Sequence, residues 1–170
     1  MDKIFISGIQ YDSCVNGVGF RDVIYVSGCW HECMKHCHNK ETHNKNNGVE
    51  YNIEDLIKEI INKSSNDITI SGGDGLTYQI EETFKLVKEL KVAYNKNIWL
   101  YTGYKFEELL EDSNHSRQEI LKYIDVLVDG NFNPEFVGDN CVFRGDLSQR
   151  IIDVQKSLIE NKIILFQLNC

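Results

Sequence analysis

"DVIYVSGCWHECMKHC" occupies residues 22–37 and sets a strand-forming run directly before Cys29, Cys33 and Cys37. Valine, isoleucine and tyrosine suit an extended, pleated chain, and Gly28 ends it. Three soft thiolates within nine residues can hold one face of a metal centre and leave one coordination position empty. Chemistry happens at an open position, so the segment points to an enzyme rather than a scaffold.

Working outward, "KIFISGI" (3–9) reads as a strand before it, and the cysteine loop runs to about Gly48. "NIEDLIKEIINKS" (52–64) puts Ile53, Leu56, Ile57, Ile60 and Ile61 on one helical face, with Asn52 as N-cap. "DITIS" (67–71) reads as a strand that stops at Gly72-Gly73, and "IEETFKLVKELKVAY" (80–94) as an amphipathic helix. "NIWLYTG" (97–103) is a strand, "KFEELLED" (105–112) and "RQEILKYI" (117–124) are helical, and "DVLVDG" (125–130) is a strand. Residues 130–149 are irregular, and "RIIDV" (150–154) and "KIILFQL" (162–168) read as closing β segments.

Strand and helix alternate after the loop, which predicts an α/β fold with a parallel sheet and right-handed crossovers. A closed eight-unit barrel needs roughly 200 residues or more, so a partial, open parallel βα barrel is expected. Reactive groups in such sheets lie beyond the carboxyl ends of the strands. The cysteine loop, the Gly-Gly turn, "YTG" and "VDGNF" all follow strands directly and should meet on one rim.

A chain of 170 residues fits a single domain, 1–170. Its 42% hydrophobic and 26% charged residues are those of an ordinary soluble globular protein. No apolar run approaches membrane-spanning length and the start lacks a signal-peptide core, so a cytoplasmic protein without a membrane partner is expected. A net charge of −8 argues against non-specific nucleic-acid binding, which relies on basic surface. In a cytoplasmic chain a tight cysteine cluster reads as metal-binding or catalytic, whereas scattered Cys14, Cys141 and Cys170 read as incidental or packed thiols.

Two metals suit the loop. His31, His36, His38 and His43 supply candidates for a Cys3His zinc site, which would make the chain a zinc-stabilised interaction module without redox activity. An iron–sulfur cluster on three cysteines instead leaves one iron free for a small molecule. In "DITISGGDGL" (67–76), paired glycines allow close approach to the backbone, and Asp74 offers a carboxylate that can accept from an ammonium group. Taken alone, Gly-Gly-Asp-Gly is also ordinary turn chemistry.

"SGGDG" following "CWHECMKHC" resembles the radical S-adenosylmethionine (SAM) enzymes. More narrowly, "SGIQYDSCVNGVGFRDVIYVSGC", "CHNKETH", "ITISGGD", "IWLYTGY", "DVLVDGNF" and "RGDLSQRIIDV" resemble the family of activating proteins of anaerobic ribonucleoside-triphosphate reductase. The family spacing C-x3-C-x2-C is lengthened here by one residue among Met34, Lys35 and His36, and the proline usual after Gly-Gly-acid is Gly75.

The resemblance implies a radical SAM-type partial barrel. Cys29, Cys33 and Cys37 would hold a [4Fe–4S] cluster, whose fourth iron would take the amino and carboxylate groups of SAM. Gly72, Gly73 and Asp74 would line its methionine end, and His36 and His38, flanking Cys37, would contact the nucleoside; no catalytic residue beyond the cluster and SAM is implied. Reductive cleavage of SAM would give a 5′-deoxyadenosyl radical that takes hydrogen from a glycine of the large reductase subunit. The electron would come from a low-potential donor such as a flavodoxin or ferredoxin. Another radical SAM target and homodimerisation stay open. Asp125, Asp129 and Asp146 read as caps or turn residues, and Arg144 and Arg150 either pair with them or face a partner.

Overall fold

The computed structural model describes residues 2–31, 33 and 36–168. Seven strands form one sheet in the order β3-β1-β2-β4-β5-β6-β7. The parallel core is β2 (Arg21–Val26), β4 (Asp67–Gly72), β5 (Ile98–Thr102) and β6 (Val126–Asp129). Antiparallel strands flank it: β1 (Lys3–Ser13) and β3 (Val49–Asn52) on one side, β7 (Arg150–Asp153) on the other. The sheet is open, with β3 and β7 as its edges.

Helix α1 (Ile53–Lys63) starts where the sequence places it, because the Asn52 side chain accepts from the backbone N–H groups of Glu54 and Asp55. Ile53, Leu56, Ile57 and Ile60 are its buried stripe. Helix α2 (Ile80–Tyr94) buries Leu86, Val87 and Leu90 and stops at Asn95, whose φ of 50° is left-handed. Short helices α3 (Phe106–Leu110) and α4 (His115–Glu119) bridge β5 to β6.

Alternation along the strands divides two cores. Ile98, Leu100, Leu127 and Ile152 face the helices, whereas Trp99, Val126, Val128 and Ile151 face the other side with Phe143 and Phe166. That second face is covered by loops, and it leaves room for a cavity. Among the described residues, no helix is long and apolar enough to cross a membrane.

The structure differs from the sequence expectation at the sheet edges. Val49–Asn52 forms β3 on β1, in a stretch between the cysteine loop and the first helix for which the sequence predicts no element. The expected strand 162–168 makes only a single bridge, Leu165 to Ile152, because its apolar residues pack as side chains: Phe166 and Leu168 lie against the Trp99 core. A fifth helix, α5 (Val154–Glu160), follows β7 with no sequence counterpart, since only Val154 and Ser157 are buried in it.

Candidate metal centre and its cavity

Four parallel strand ends deliver the expected segments to one place. Cys29, Cys33 and Cys37 line a cavity of about 340 Å³ together with Gly72, Gly73 and Asp74 after β4, Thr102 and Gly103 at β5, and Gly130 after β6. Gly72 and Gly73 are set by close packing of backbone on backbone. A Cβ on Gly73 would lie 2.4 Å from the Gly28 carbonyl oxygen, and one on Gly72 would lie 2.7 Å from that of Val26. Only bare backbone lets the β4 end press against the start of the cysteine loop. Gly73 N–H donates to Val26 O and Asp74 N–H to Gly28 O, each at 2.8 Å.

The far end of the loop is stitched to the same point. Gly28 N–H donates to Thr42 O (2.6 Å), Cys29 N–H to His43 O (3.0 Å), and Asn39 Nδ2 to Gly72 O (3.1 Å). Asn39 N–H also donates to Cys37 Sγ at 3.3 Å. Met34 and Lys35, two of the residues among which the lengthened spacing is expected, and Cys170 lie outside the described residues.

Asp74 is 2% exposed, and its carboxylate is a junction. Oδ2 faces His31 Nε2 at 2.6 Å and accepts from Thr102 Oγ1 (2.7 Å) and Gly103 N–H (2.9 Å); Oδ1 accepts from Leu76 N–H (2.8 Å). Oδ2 is therefore saturated, and Oδ1 keeps capacity for one further donor. His31, also buried, stands edge-on to Tyr104 with ring centroids 4.8 Å apart. A Cβ on Gly103 would meet its ring at 2.5 Å.

The histidines flanking Cys37 separate. His38 lines the cavity and packs on Phe132 with centroids 4.5 Å apart, whereas His36 is exposed and is not among the lining residues. Cys141, expected to be incidental, lines the cavity as well, and Cys14 is exposed. All the described cysteines are free.

The donor set suits an iron–sulfur cluster. Burial pushes the Cys29 thiol up to about 12, and burial also raises Cys33, so both hold their protons until a metal displaces them. His43 lines the cavity with its buried Nε2 unpartnered among the described residues. No three of the described His, Cys, Asp and Glu side chains converge closely enough for a single metal ion. Cysteines that each take a different iron of a cluster stand farther apart than ligands of one ion.

Comparison with known proteins agrees. A family model described as a 4Fe-4S single cluster domain matches residues 15–152. The chain is 37% identical over 143 residues to the anaerobic ribonucleoside-triphosphate reductase-activating protein of Enterobacteria phage T4, covering 81% of this chain and 86% of that protein. It belongs to this activating-protein family. The protein of that name from Escherichia coli (strain K12) is 37% identical over 142 residues (79% of this chain, 89% of the other), and the Vibrio cholerae one 38% over 144 (81% and 90%).

In this activating-protein chain, several lining residues escaped the sequence reading: Tyr25, Tyr101, Phe132 and Gln149. Tyr25 and Tyr101 sit on β2 and β5 with side chains on the loop-covered face. Strand alternation gives a face but not which face the cavity occupies. Asp129 and Asp146 serve as cap and turn residues, accepting from the Phe106 N–H at the start of α3 and from the Asn133 and Ser148 N–H groups, whereas Asp125 instead pairs with Lys91 and accepts from the Ile98 N–H of β5. The arginines divide, with Arg150 paired to Asp129 and Glu107 and Arg144 lining the cavity.

Proposed function

We propose that this single-domain protein activates anaerobic ribonucleoside-triphosphate reductase by radical SAM chemistry, in a partial βα barrel of that type. The observation that carries this reading is that Cys29, Cys33 and Cys37 line the same cavity as the Gly72-Gly73-Asp74 turn. Cys29, Cys33 and Cys37 would hold a [4Fe–4S] cluster. When bound and reduced, such a cluster would supply the electron for splitting SAM into methionine and a 5′-deoxyadenosyl radical, which would take a hydrogen atom from the Cα of a reductase glycine.

The chain's own residues bind and orient. Gly72 and Gly73 admit the methionyl end of SAM, Asp74 Oδ1 has room for one donor from it, and His38 with Phe132 offers an aromatic wall to the nucleoside. A radical this reactive must form beside its target, so the cavity needs an entrance for a protein segment. Loop 14–20 and loop 130–149 border the cavity and carry exposed Val18, Phe20, Phe136, Val137 and Val142. Those apolar side chains suit a reductase surface, and exclusion of water there protects the radical. A flavodoxin or ferredoxin in the cytoplasm would supply the electron.

The test is anaerobic reconstitution with iron and sulfide, reduction, addition of SAM, and assay of 5′-deoxyadenosine, with Cys37→Ala as control. Product from wild type alone, followed by a glycyl-radical signal on added reductase, is the expected result. Zinc bound in place of iron, with no product, would sink the proposal.

A further inference from the structure

Loop 130–149 has no regular structure beyond one short turn, yet hydrogen bonds brace it at several points. Phe143 adopts φ of 56°, a left-handed conformation unfavourable for a bulky residue and held only where the surroundings impose it. Tyr101 Oη donates to its carbonyl at 2.7 Å, and its ring stands edge-on to Trp99 at 5.7 Å. Gly145 N–H donates to Gln149 Oε1 and Gln149 Nε2 to Gly130 O, both at 2.8 Å. Fully buried Asp146 accepts from Asn133 N–H at 2.8 Å and from Ser148 N–H at 2.7 Å.

What this braced loop presents to the cavity is Arg144, the one lysine or arginine among its described lining residues. Arg144 Nη1 donates to Gln149 O at 2.8 Å, and among the described residues the guanidinium pairs with no carboxylate. The acidic residue lining the cavity, Asp74, is committed to His31, Thr102 and Gly103. Arg144 is thus the cationic side chain that the cavity offers to an anionic ligand. Gly145, next to Arg144, packs on Phe132, and Phe132 on His38, so this stretch of the loop adjoins the end of the cysteine loop.

We infer that Arg144 is a binding residue for the carboxylate of the methionyl end of SAM, an assignment that rests on SAM being the cavity's ligand. A guanidinium presents a planar fork of N–H donors that matches a carboxylate in a two-point, charge-assisted pair. SAM otherwise carries positive charge at its sulfonium and ammonium groups, and a glycine segment entering from a partner brings neutral amides. The carboxylate is the anionic group of SAM itself. A braced loop suits this task, since a donor fixed before binding loses little freedom when the pair forms.

The experiment compares SAM with decarboxylated SAM, the same sulfonium lacking the carboxylate, by equilibrium binding to cluster-loaded wild type, Arg144→Gln and Arg144→Lys. Arg144→Gln should weaken SAM binding about ten-fold or more, as expected for loss of a charge-assisted pair, and leave the decarboxylated ligand within about two-fold. Arg144→Lys should recover part of the loss. The ratio of the two affinities within one variant removes any general effect on folding. Equal weakening of both ligands, or of neither, would overturn the assignment and leave the proposed function standing. A cluster-loaded wild type that binds neither ligand would overturn both.

Discussion

His31 Nε2 lies 2.6 Å from Asp74 Oδ2, and this contact ties the cysteine loop to the end of β4 between Cys29 and Cys33. Both side chains are buried, and the same carboxylate oxygen also holds Thr102 and Gly103 at the end of β5. The tie therefore spans three strand ends. A hydrogen bond to a charged group contributes about 1.5–3 kcal/mol. His31→Phe fills the space and deletes the bond, so the loop should open more often. In metal-free protein, alkylation of Cys29, which is 7% exposed, should run about ten-fold faster in His31→Phe, the factor for about 1.4 kcal/mol of easier opening. Cys141 should react at its wild-type rate. Unchanged Cys29 reactivity, read by mass spectrometry, would show that the backbone bonds alone hold the loop.

Those backbone bonds yield a second prediction at Gly73. A methyl group there would sit 2.4 Å from Gly28 O and 3.0 Å from Thr42 O, both backbone atoms with little freedom to move. Gly73→Ala should destabilise the metal-free protein by about 1–3 kcal/mol, the usual cost of overpacking. It should also lower the iron bound per chain after reconstitution, because it parts β4 from the loop that carries Cys29. A variant with wild-type melting temperature and iron content would remove the close-approach role assigned to Gly73.

The free thiols can be ranked by the same geometry. Cys29 and Cys33 follow the Gly28 anchor and Cys37 precedes the Asn39 anchor, whereas Cys141 sits on loop 130–149, where Gly138 N–H donates to its sulfur at 3.3 Å. Cys141→Ser should retain the iron and sulfide content of wild type. Serine at 29, 33 or 37 should each abolish it. Loss of iron from Cys141→Ser comparable to that of Cys37→Ser would make Cys141 a ligand.

What the sequence revealed, and what it hid, follows from the range of the interactions. Helices α1 and α2 were legible because a repeating apolar stripe and a local cap, Asn52, lie within a few residues of each other. Strands β4 to β6 were legible as buried apolar runs, and their following loops located the rim. Strand β3, "VEYN", is short, half-exposed and defined by its pairing with β1, which no local pattern encodes. The buried His31–Asp74 pair joins residues 43 apart in sequence, so each was legible as a candidate ligand but not as the other's partner. Arg21 is similar: 1% exposed, over the Trp99 ring, it donates to Thr69 Oγ1 and to the carbonyls of Ile68 and Asn97. Its role appears only once β2, β4 and β5 are side by side.

The other arginine cluster carries a pH dependence. Arg150 Nε donates to Asp129 Oδ1 at 2.9 Å, and its two terminal nitrogens meet Glu107 at 3.0 and 2.7 Å. The hydrogen bond from Arg150 is the main force holding the Glu107 carboxyl down, from an ordinary 4.5 to about 2. A carboxylate whose folded value lies below its unfolded one stabilises the fold fully above the unfolded value. That contribution is lost as pH falls from about 4.5 towards about 2. Because Glu107 is half-exposed, solvent screens the pair and the pH effect should be modest. Asp129 is different: it is 1% exposed, so Arg150→Ala strands a buried carboxylate that keeps only the Phe106 N–H among its partners here. Removing one member of a buried pair costs about 3–5 kcal/mol, and the partial exposure of Arg150 places this case at about 3. Denaturant unfolding at neutral pH should show that loss in Arg150→Ala, whereas Glu107→Gln should lose under about 1 kcal/mol. Between pH 4.5 and 2, wild type should lose more stability than Glu107→Gln. Parallel pH profiles for the two would mean that Arg150 acts through Asp129 alone.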